Sequence, residues 1–216
     1  MSVTLDIPST HLVETANLNL AEPRIHLCAV SWEQYETLIA TVGNRPRLRM
    51  SYLEDALEIM TISPEHEMIK KMIARLLEIY AIEADISLYS TGSATFRQRA
   101  AGRGLEADES YCINDRKDIP DIAIEVVLTS GVIDKMKIYQ GLGVLEVWVW
   151  QAGTIVVQQL REDQSGYSEC PSSALIPALD FQLLAGHMLP QEEPQALRAF
   201  RTLIRKQINA LSSLRH

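Results

Sequence analysis

The sequence has few cysteines and no long apolar run. Its three cysteines, Cys28, Cys112 and Cys170, form no CxxC pair, so neither a zinc knuckle nor a disulfide framework is predicted. The longest apolar stretches, such as residues 122–128, are far shorter than the roughly 20 residues that span a bilayer. No basic segment followed by an apolar run opens the chain. We therefore expect a reduced, cytoplasmic protein with no membrane contact.

Positive charge is also scarce, since 20 Lys and Arg residues face 28 Asp and Glu residues and the net charge is -8. A protein that coats nucleic acid nonspecifically needs clustered Lys and Arg, so the composition argues against that class of protein. The composition does not exclude a basic groove at one place on the surface. The chain of 216 residues is 47% hydrophobic, which is typical of a globular domain with a sizeable core.

Hydrophobic periodicity predicts an α/β fold. Residues 1–24 lack sustained periodicity and are expected to form a flexible or extended N-terminal arm. Ser31 is placed to cap a short amphipathic helix over residues 32–40. Residues 47–53 and 57–62 alternate apolar with polar side chains, which predicts an antiparallel hairpin. This helix and hairpin precede the longest predicted helix.

The longest predicted helix begins at Ser63-Pro64 and ends near residue 84, because serine can cap a helix and proline fits its first position. Its apolar stripe leaves Lys70 and Lys71 outside the core face. Further predicted strands cover residues 86–90, 94–99, 108–113, 122–128, 146–150 and 154–158, and further helices cover residues 131–141 and 197–211. This order predicts a mixed β-sheet flanked by helices, with one domain over residues 25–160 and a C-terminal loop and helix over 161–216 packed on it.

Glu125 is the first candidate functional residue, because an ionised carboxylate in a buried strand is costly unless it is paired or binds a metal. Asp121 lies four residues away on the same strand, roughly 13 Å at about 3.3 Å per residue, which is too far to share one cation. Asp108 opens a preceding strand, and a neighbouring strand is only about 5 Å away. Asp108 and Glu125 are therefore the predicted ligands of one metal ion, Mg²⁺ with Mn²⁺ as an alternative.

Four runs of sequence carry a family resemblance. They are SPEHE (63–67), GLEADESY (104–111), IPDIAIEVVLTS (119–130) and DKMKIYQGLGVLEVW (134–148), and they occur in matching order over roughly residues 45–160. In these runs the chain resembles the Uma-two family of restriction endonucleases, which belongs to the PD-(D/E)XK nuclease superfamily. The resemblance implies a restriction-endonuclease-like core and a metal-dependent endonuclease that hydrolyses DNA.

Carried over by position, Asp108 resembles the first metal ligand of the family and Glu125 the second. Ala107 stands where the family usually has proline, which should perturb the turn more than the ligand. Structural alternatives remain open for both acids. Asp108 could be a turn residue at a strand entry, and Glu125 could belong to a buried ion pair, for example with Lys135.

The lysine of the family motif is displaced. Val127 occupies the position two residues after Glu125, where a standard E-x-K motif has lysine. Lys135 matches a lysine that the family places on the following helix, from which it could reach the attacking water or the scissile phosphate. Lys135 is preferred to Lys137 because only Lys135 has the Lys-x-x-x-Tyr spacing to Tyr139. A charge pair on a solvated helix start is the structural alternative.

Accessory residues are expected at the start of the long helix, where Glu65, His66 and Glu67 follow the cap. Acidic residues are favoured there by the helix dipole, so a purely structural role is an open alternative. Helical phase does not decide which of the three reaches the site, and the family pattern favours His66 and Glu67.

Two groups of arginines are weaker candidates. The first is Arg97, Arg99 and Arg103, which could approach phosphate or form an exposed charge cluster. The second is Arg198, Arg201 and Arg205 on the last predicted helix, which are interpreted as a solvated face.

Two functions remain in view from the sequence. The first is the endonuclease, for which a homodimer is expected because cleavage of two antiparallel strands suits two-fold symmetry. The second is a catalytically inactive relative that keeps the fold and acts as a nucleic-acid-binding or interaction module. Val127, which stands where the standard motif has lysine, is the residue that indicates this function.

Overall fold

The computed structural model describes residues 15–17, 22–43, 45 and 47–213. They divide into two compact units. The first unit contains the described residues up to Ser63, together with Thr95–Glu106 and Thr129–Gly143, and the second contains Pro64–Ala94, Ala107–Leu128 and the chain from Val144 onward. Most of the predicted N-terminal arm lies outside the described residues.

The described residues form twelve strands and five α-helices. In chain order they are β1 (Thr15–Asn17), β2 (Arg24–Leu27), α1 (Trp32–Val42), β3 (Leu48–Leu53), β4 (Ala56–Thr61), α2 (Pro64–Glu83), β5 (Leu88–Ser90), β6 (Thr95–Gln98), β7 (Arg103–Glu106), β8 (Glu109–Ile113), β9 (Ile122–Val127), α3 (Lys135–Leu142), β10 (Glu146–Gln151), β11 (Thr154–Leu160), β12 (Tyr167–Cys170), α4 (Phe181–Gly186) and α5 (Glu193–Ser213).

The first unit is an antiparallel sheet with two helices, α1 and α3. Its strand order is β1-β2-β4-β3-β7-β6. The predicted hairpin is present as β3 and β4, and Glu54 in its turn has a φ of 59°. Ser31 caps α1 as predicted, because its hydroxyl accepts a hydrogen bond from the main-chain N–H of Gln34 while the Gln34 side chain accepts one from the N–H of Ser31. The rings of Tyr35 and Tyr52 stack in the core of this unit.

The second unit is a mixed sheet with three helices, α2, α4 and α5. Its strand order is β12-β11-β10-β9-β8-β5, in which β9 and β10 are parallel and the other neighbours are antiparallel. The helix α2 packs against β9 and α5. Trp148 and Trp150 lie in the core, as their apolar strand predicts. The central position of β9 explains its nearly continuous apolar sequence.

The predicted mixed α/β architecture is confirmed, with five additions. The strands β1, β2, β7 and β12 and the helix α4 were not predicted, because each has at most six residues and too little periodicity to identify it. The helix predicted over residues 131–141 begins only at Lys135, where Asp134 caps it. Among the helices of the described residues, none combines the length and the hydropathy of a transmembrane segment.

Candidate active site

Asp108 stands immediately before β8, at the end of its pairing with β9. Glu109 pairs with Ile124 in an antiparallel register, and continuing that register by one residue places Asp108 opposite Glu125. Directly opposed residues of an antiparallel pair project to the same face of the sheet, with Cα atoms about 4.5–5.5 Å apart. Continued by one residue beyond its last pair, the register therefore sets the two predicted acids at opposed positions of neighbouring segments.

The Asp108 carboxylate has a defined set of partners. Its Oδ2 atom accepts a hydrogen bond of 2.8 Å from the main-chain N–H of Val126 and lies 2.9 Å from Nε2 of His66. The side chain of Asp108 is 1% exposed, that of His66 is fully buried, and Glu125 is 2% exposed. A buried carboxylate is tolerated only with such partners, and hydrogen bonds to an ionised acceptor are the stronger kind. These contacts fix the orientation of Asp108.

The first turn of α2 supplies His66. Pro64 opens the helix, after which Glu65 is exposed, His66 is buried and Glu67 is 28% exposed. The sequence left open which of these residues reaches the site. In the structure it is His66 that contacts Asp108, while Glu67 pairs with Lys70 one turn later.

Lys70 is a residue that the sequence interpretation missed. Its helical phase placed it outside the apolar stripe, yet it is only 4% exposed. Its ammonium group donates to Oε1 of Glu67 at 2.9 Å and to Oγ of Ser93 at 3.3 Å. The hydroxyl of Ser93 in turn donates to the main-chain oxygen of Asp108 at 2.9 Å. The Glu-x-x-Lys spacing was the available signal, because residues three apart on a helix are neighbours.

Glu109 is a second buried acid beside Asp108. Glu109 is the first residue of β8 and pairs with Ile124 of β9, which belongs to the same hydrophobic core as residues of α2. Its Oε1 accepts a weak hydrogen bond of 3.4 Å from the Ser90 hydroxyl. Burial raises the pKa of the Glu109 carboxyl, and the charges of Lys71 and Lys70 oppose that rise. Glu109 therefore faces the charges of α2, the helix from which His66 also reaches Asp108.

Asp121, the acid of the literal Pro-Asp dipeptide, has a structural environment. Its Oδ2 accepts hydrogen bonds from the main-chain N–H of Ile113 at 2.8 Å and from the Lys117 ammonium at 2.6 Å. These bonds tie the start of β9 to the end of β8. This geometry favours a structural role for Asp121 over a role as a metal ligand.

Lys135 is the first residue of α3 and belongs to the first unit, whereas Asp108, Glu125 and His66 belong to the second. Its side chain is partly buried. Asp134 caps the helix by accepting hydrogen bonds from the main-chain N–H groups of Met136 and Lys137. The catalytic role of Lys135 stays a prediction from the family resemblance.

The segment that leads to α3 is anchored within the first unit. Arg24 donates to both the main-chain oxygen and the hydroxyl of Thr129, and Glu58 accepts from the main-chain N–H of Val132 at 2.8 Å. A Cβ atom on Gly131 would lie 2.5 Å from Oε1 of Glu58, so a larger residue there would displace the Glu58 carboxylate. The buried pair of Arg24 and Glu58 therefore fixes the approach to the helix that carries Lys135.

The arginines near β6 and β7 make surface contacts. Arg97 pairs with Glu36 at 3.5 Å and Arg99 with Glu33 at 2.5 Å, and Arg103 donates to a main-chain carbonyl of α3. Both ion pairs are well exposed and contribute little to stability. These contacts favour the exposed charge cluster over a phosphate site.

The donor atoms at the candidate site are carboxylate oxygens, which limits the kind of metal ion that they can bind. Within the described residues, no group of three or more His, Cys, Asp and Glu is placed to hold an ion. Asp108 and Glu125 offer hard oxygen donors, and Mg²⁺ usually binds through one or two carboxylates, with water and substrate phosphate completing its shell. The pair fits such an ion better than a zinc ion, which needs three or four protein ligands.

Comparison with known proteins identifies a family. The Uma2 family model, described as "Putative restriction endonuclease", matches residues 32–186. No curated protein matches the chain. The matched segment covers well over half of the sequence and contains every predicted site residue. Together with the mixed α/β architecture, it identifies a restriction-endonuclease-like fold.

Proposed function

This chain belongs to the Uma2 family, and on that premise we propose that it is a metal-dependent endonuclease that hydrolyses phosphodiester bonds in DNA. The observation that supports the proposal is the register of β8 and β9, which pairs Glu109 with Ile124 and, continued by one residue, sets Asp108 opposite Glu125. Two buried carboxylates, with His66 against one of them, form an arrangement that a bound cation would stabilise.

In this proposal Asp108 and Glu125 hold Mg²⁺, with Mn²⁺ as an alternative. The bound ion would lower the pKa of a water molecule and stabilise the negative charge that develops on the phosphate. The Val126 N–H and His66 keep the Asp108 carboxylate in one orientation, as supporting groups do around metal ligands. Glu67 is the proposed accessory acid.

Wild-type protein is expected to convert supercoiled plasmid DNA to nicked and linear forms in Mg²⁺ or Mn²⁺ and to leave it intact in EDTA. The two carboxylates alone provide no positive charge to bind or polarise a phosphate, so cleavage should depend on the cation. Agarose-gel assays with duplex DNA, single-stranded DNA and RNA would identify the substrate class. Absence of cleavage on all three, with no shift of Tm on metal addition, contradicts the proposal.

The substitution Lys135→Ala is expected to reduce cleavage by about 100-fold or more, because it removes the lysine proposed to orient the attacking water or the phosphate. Lys137→Ala is a matched control on the same helix and should stay within a few-fold of wild type. Initial rates at saturating metal measure both variants. Equal rates for the two variants would remove Lys135 from the proposed site.

One alternative function is favoured by a specific observation, the presence of Val127 where a standard motif has lysine. A catalytically inactive member would keep the fold and act as a nucleic-acid-binding or interaction module. Binding of DNA without cleavage, measured by gel shift in Mg²⁺, would support that function over the nuclease.

A homodimer that cuts both strands is also part of the proposal. The sedimentation coefficient with and without a short DNA duplex would test it. The cytoplasmic location expected from the sequence stays a prediction.

A further inference from the structure

Lys70 is a buried cation in the middle of the core-facing side of α2. Its neighbours along the helix, Ile69, Met72 and Ile73, belong to the main hydrophobic core of the second unit. Burial of an ammonium group carries a large desolvation cost unless the group is paired and hydrogen-bonded. A leucine at this position would extend the apolar stripe without that cost. The lysine therefore calls for an explanation beyond packing.

The contacts of Lys70 lead to Asp108 by a short route. The ammonium donates to Ser93 Oγ at 3.3 Å, and the Ser93 hydroxyl donates to the main-chain oxygen of Asp108 at 2.9 Å. On its other side the ammonium donates to Glu67 at 2.9 Å. One lysine thus joins the accessory acid of the proposed site to the backbone of its first metal ligand.

The helix α2 reaches Asp108 at two separate atoms. His66 lies against the side-chain Oδ2 atom, and Lys70, one helical turn later on the same face, reaches the main-chain oxygen through Ser93. Asp108 precedes the first residue of β8, so strand pairing restrains it less than its successors. Ala107, the residue before Asp108, does not restrict its own φ angle as a proline would. Contacts from outside the strand must supply that restraint.

We infer that Lys70 is a positioning residue, which fixes the backbone of Asp108 through Ser93 and pairs with Glu67, the proposed accessory acid. The inference rests on the proposed nuclease function, because it concerns the geometry of that site. Its effect on chemistry is indirect, since Lys70 acts through Ser93 and Glu67. Replacing Lys70 with methionine removes the ammonium group but leaves a side chain of similar length in the core. This change should therefore loosen the backbone of Asp108.

The kinetic test uses Lys70→Met, Ser93→Ala and the double variant, with Lys71→Met as an exposed control from the adjacent position. Lys70→Met is expected to lower kcat by roughly 10- to 100-fold at saturating Mn²⁺, the range typical of groups that support metal ligands. The KM for DNA should change less than about threefold, because no contact with DNA is removed. The double variant should be no slower than the slower single variant, because both substitutions break one link.

A second readout does not depend on activity. The Val126 N–H donates to the Asp108 carboxylate, so its hydrogen exchange in metal-free protein reports whether Asp108 stays in place. In Lys70→Met, exchange at Val126 should rise by about tenfold, the effect of losing most of one hydrogen bond. Exchange at Ile124 in the same strand should be unchanged. General destabilisation would accelerate both amides together.

Each outcome bears on a different claim. Unchanged kcat in Lys70→Met, multiplied losses in the double variant, or equal acceleration at Val126 and Ile124 overturns the role of Lys70 while the nuclease function stands. A wild-type protein that cleaves no DNA overturns the nuclease function and, with it, the role of Lys70 in cleavage. Slow cleavage together with selective exchange at Val126 supports both.

Discussion

The variant Asp108→Asn is expected to cleave DNA about 1000-fold more slowly than wild type, or slower still. A bound cation contributes several kcal/mol of transition-state stabilisation, and each 1.36 kcal/mol corresponds to a tenfold rate. Asparagine keeps the shape of aspartate and one oxygen that can accept the Val126 N–H, so the strand entry should persist. It lacks the negative charge that holds the ion.

Asp121→Asn is the matched control for Asp108→Asn. Asp121 is also a buried aspartate, 6% exposed, that accepts a main-chain N–H in the same sheet. Its loss of charge weakens the contact with Lys117 and should lower stability by about 1 kcal/mol, the size of one typical hydrogen bond. Cleavage should remain within a few-fold of wild type. If instead Asp121→Asn abolishes cleavage and Asp108→Asn does not, the site has been assigned to the wrong acid.

Glu125→Gln is expected to abolish the stabilisation of the protein by metal as well as its cleavage activity. An ion that binds only the folded state at about 100 times its Kd stabilises that state by roughly 2.7 kcal/mol. For a chain of this length that is a rise in Tm of several degrees. The amide of glutamine is neutral and cannot replace the second carboxylate, so the rise should vanish. Thermal scans in EDTA and in millimolar Mn²⁺ measure the difference.

Glu146→Gln separates loss of metal binding from loss of a buried acid. Glu146, on the neighbouring strand β10, is 1% exposed, and its carboxylate accepts hydrogen bonds from Trp148, Ser173, Ala174 and Leu175. An amide can accept only through its oxygen, so this variant should lose about 2 kcal/mol of stability in EDTA. Its Tm should still rise on addition of Mn²⁺. A metal-induced rise that persists in Glu125→Gln would exclude Glu125 as a ligand.

Much of the fold could be predicted from local pattern. The twenty residues of α2 carry one apolar stripe after a proline, and β9 is an unbroken apolar run except for Glu125, so type and approximate bounds follow from the sequence. The short strands β7 and β12 could not be predicted this way. Their identity depends on pairing with β3, β6 and β11, which lie elsewhere in the chain.

The candidate site also contains residues that could be predicted from the sequence and residues that could not. Asp108 and Glu125 could be paired from the sequence, because an acid in an apolar strand calls for a partner on the adjacent strand. Lys70 was not assigned to the site, since helical phase placed it outside the apolar stripe. The Glu67 carboxylate and the hydroxyl of Ser93, twenty-three residues away, together make a buried ammonium tolerable there.

By itself, the sequence determined the α/β class, the long helix, the central strand with its acid and the family to which the chain belongs, because periodicity and motif order are properties of the chain alone. Only the tertiary structure decided that His66 is the first-turn residue that contacts Asp108 and that Lys70 is buried. Several residues of a helical turn can point toward a core. Which of them meets a given strand end depends on where the sheet stops, and that is set by pairing between distant segments.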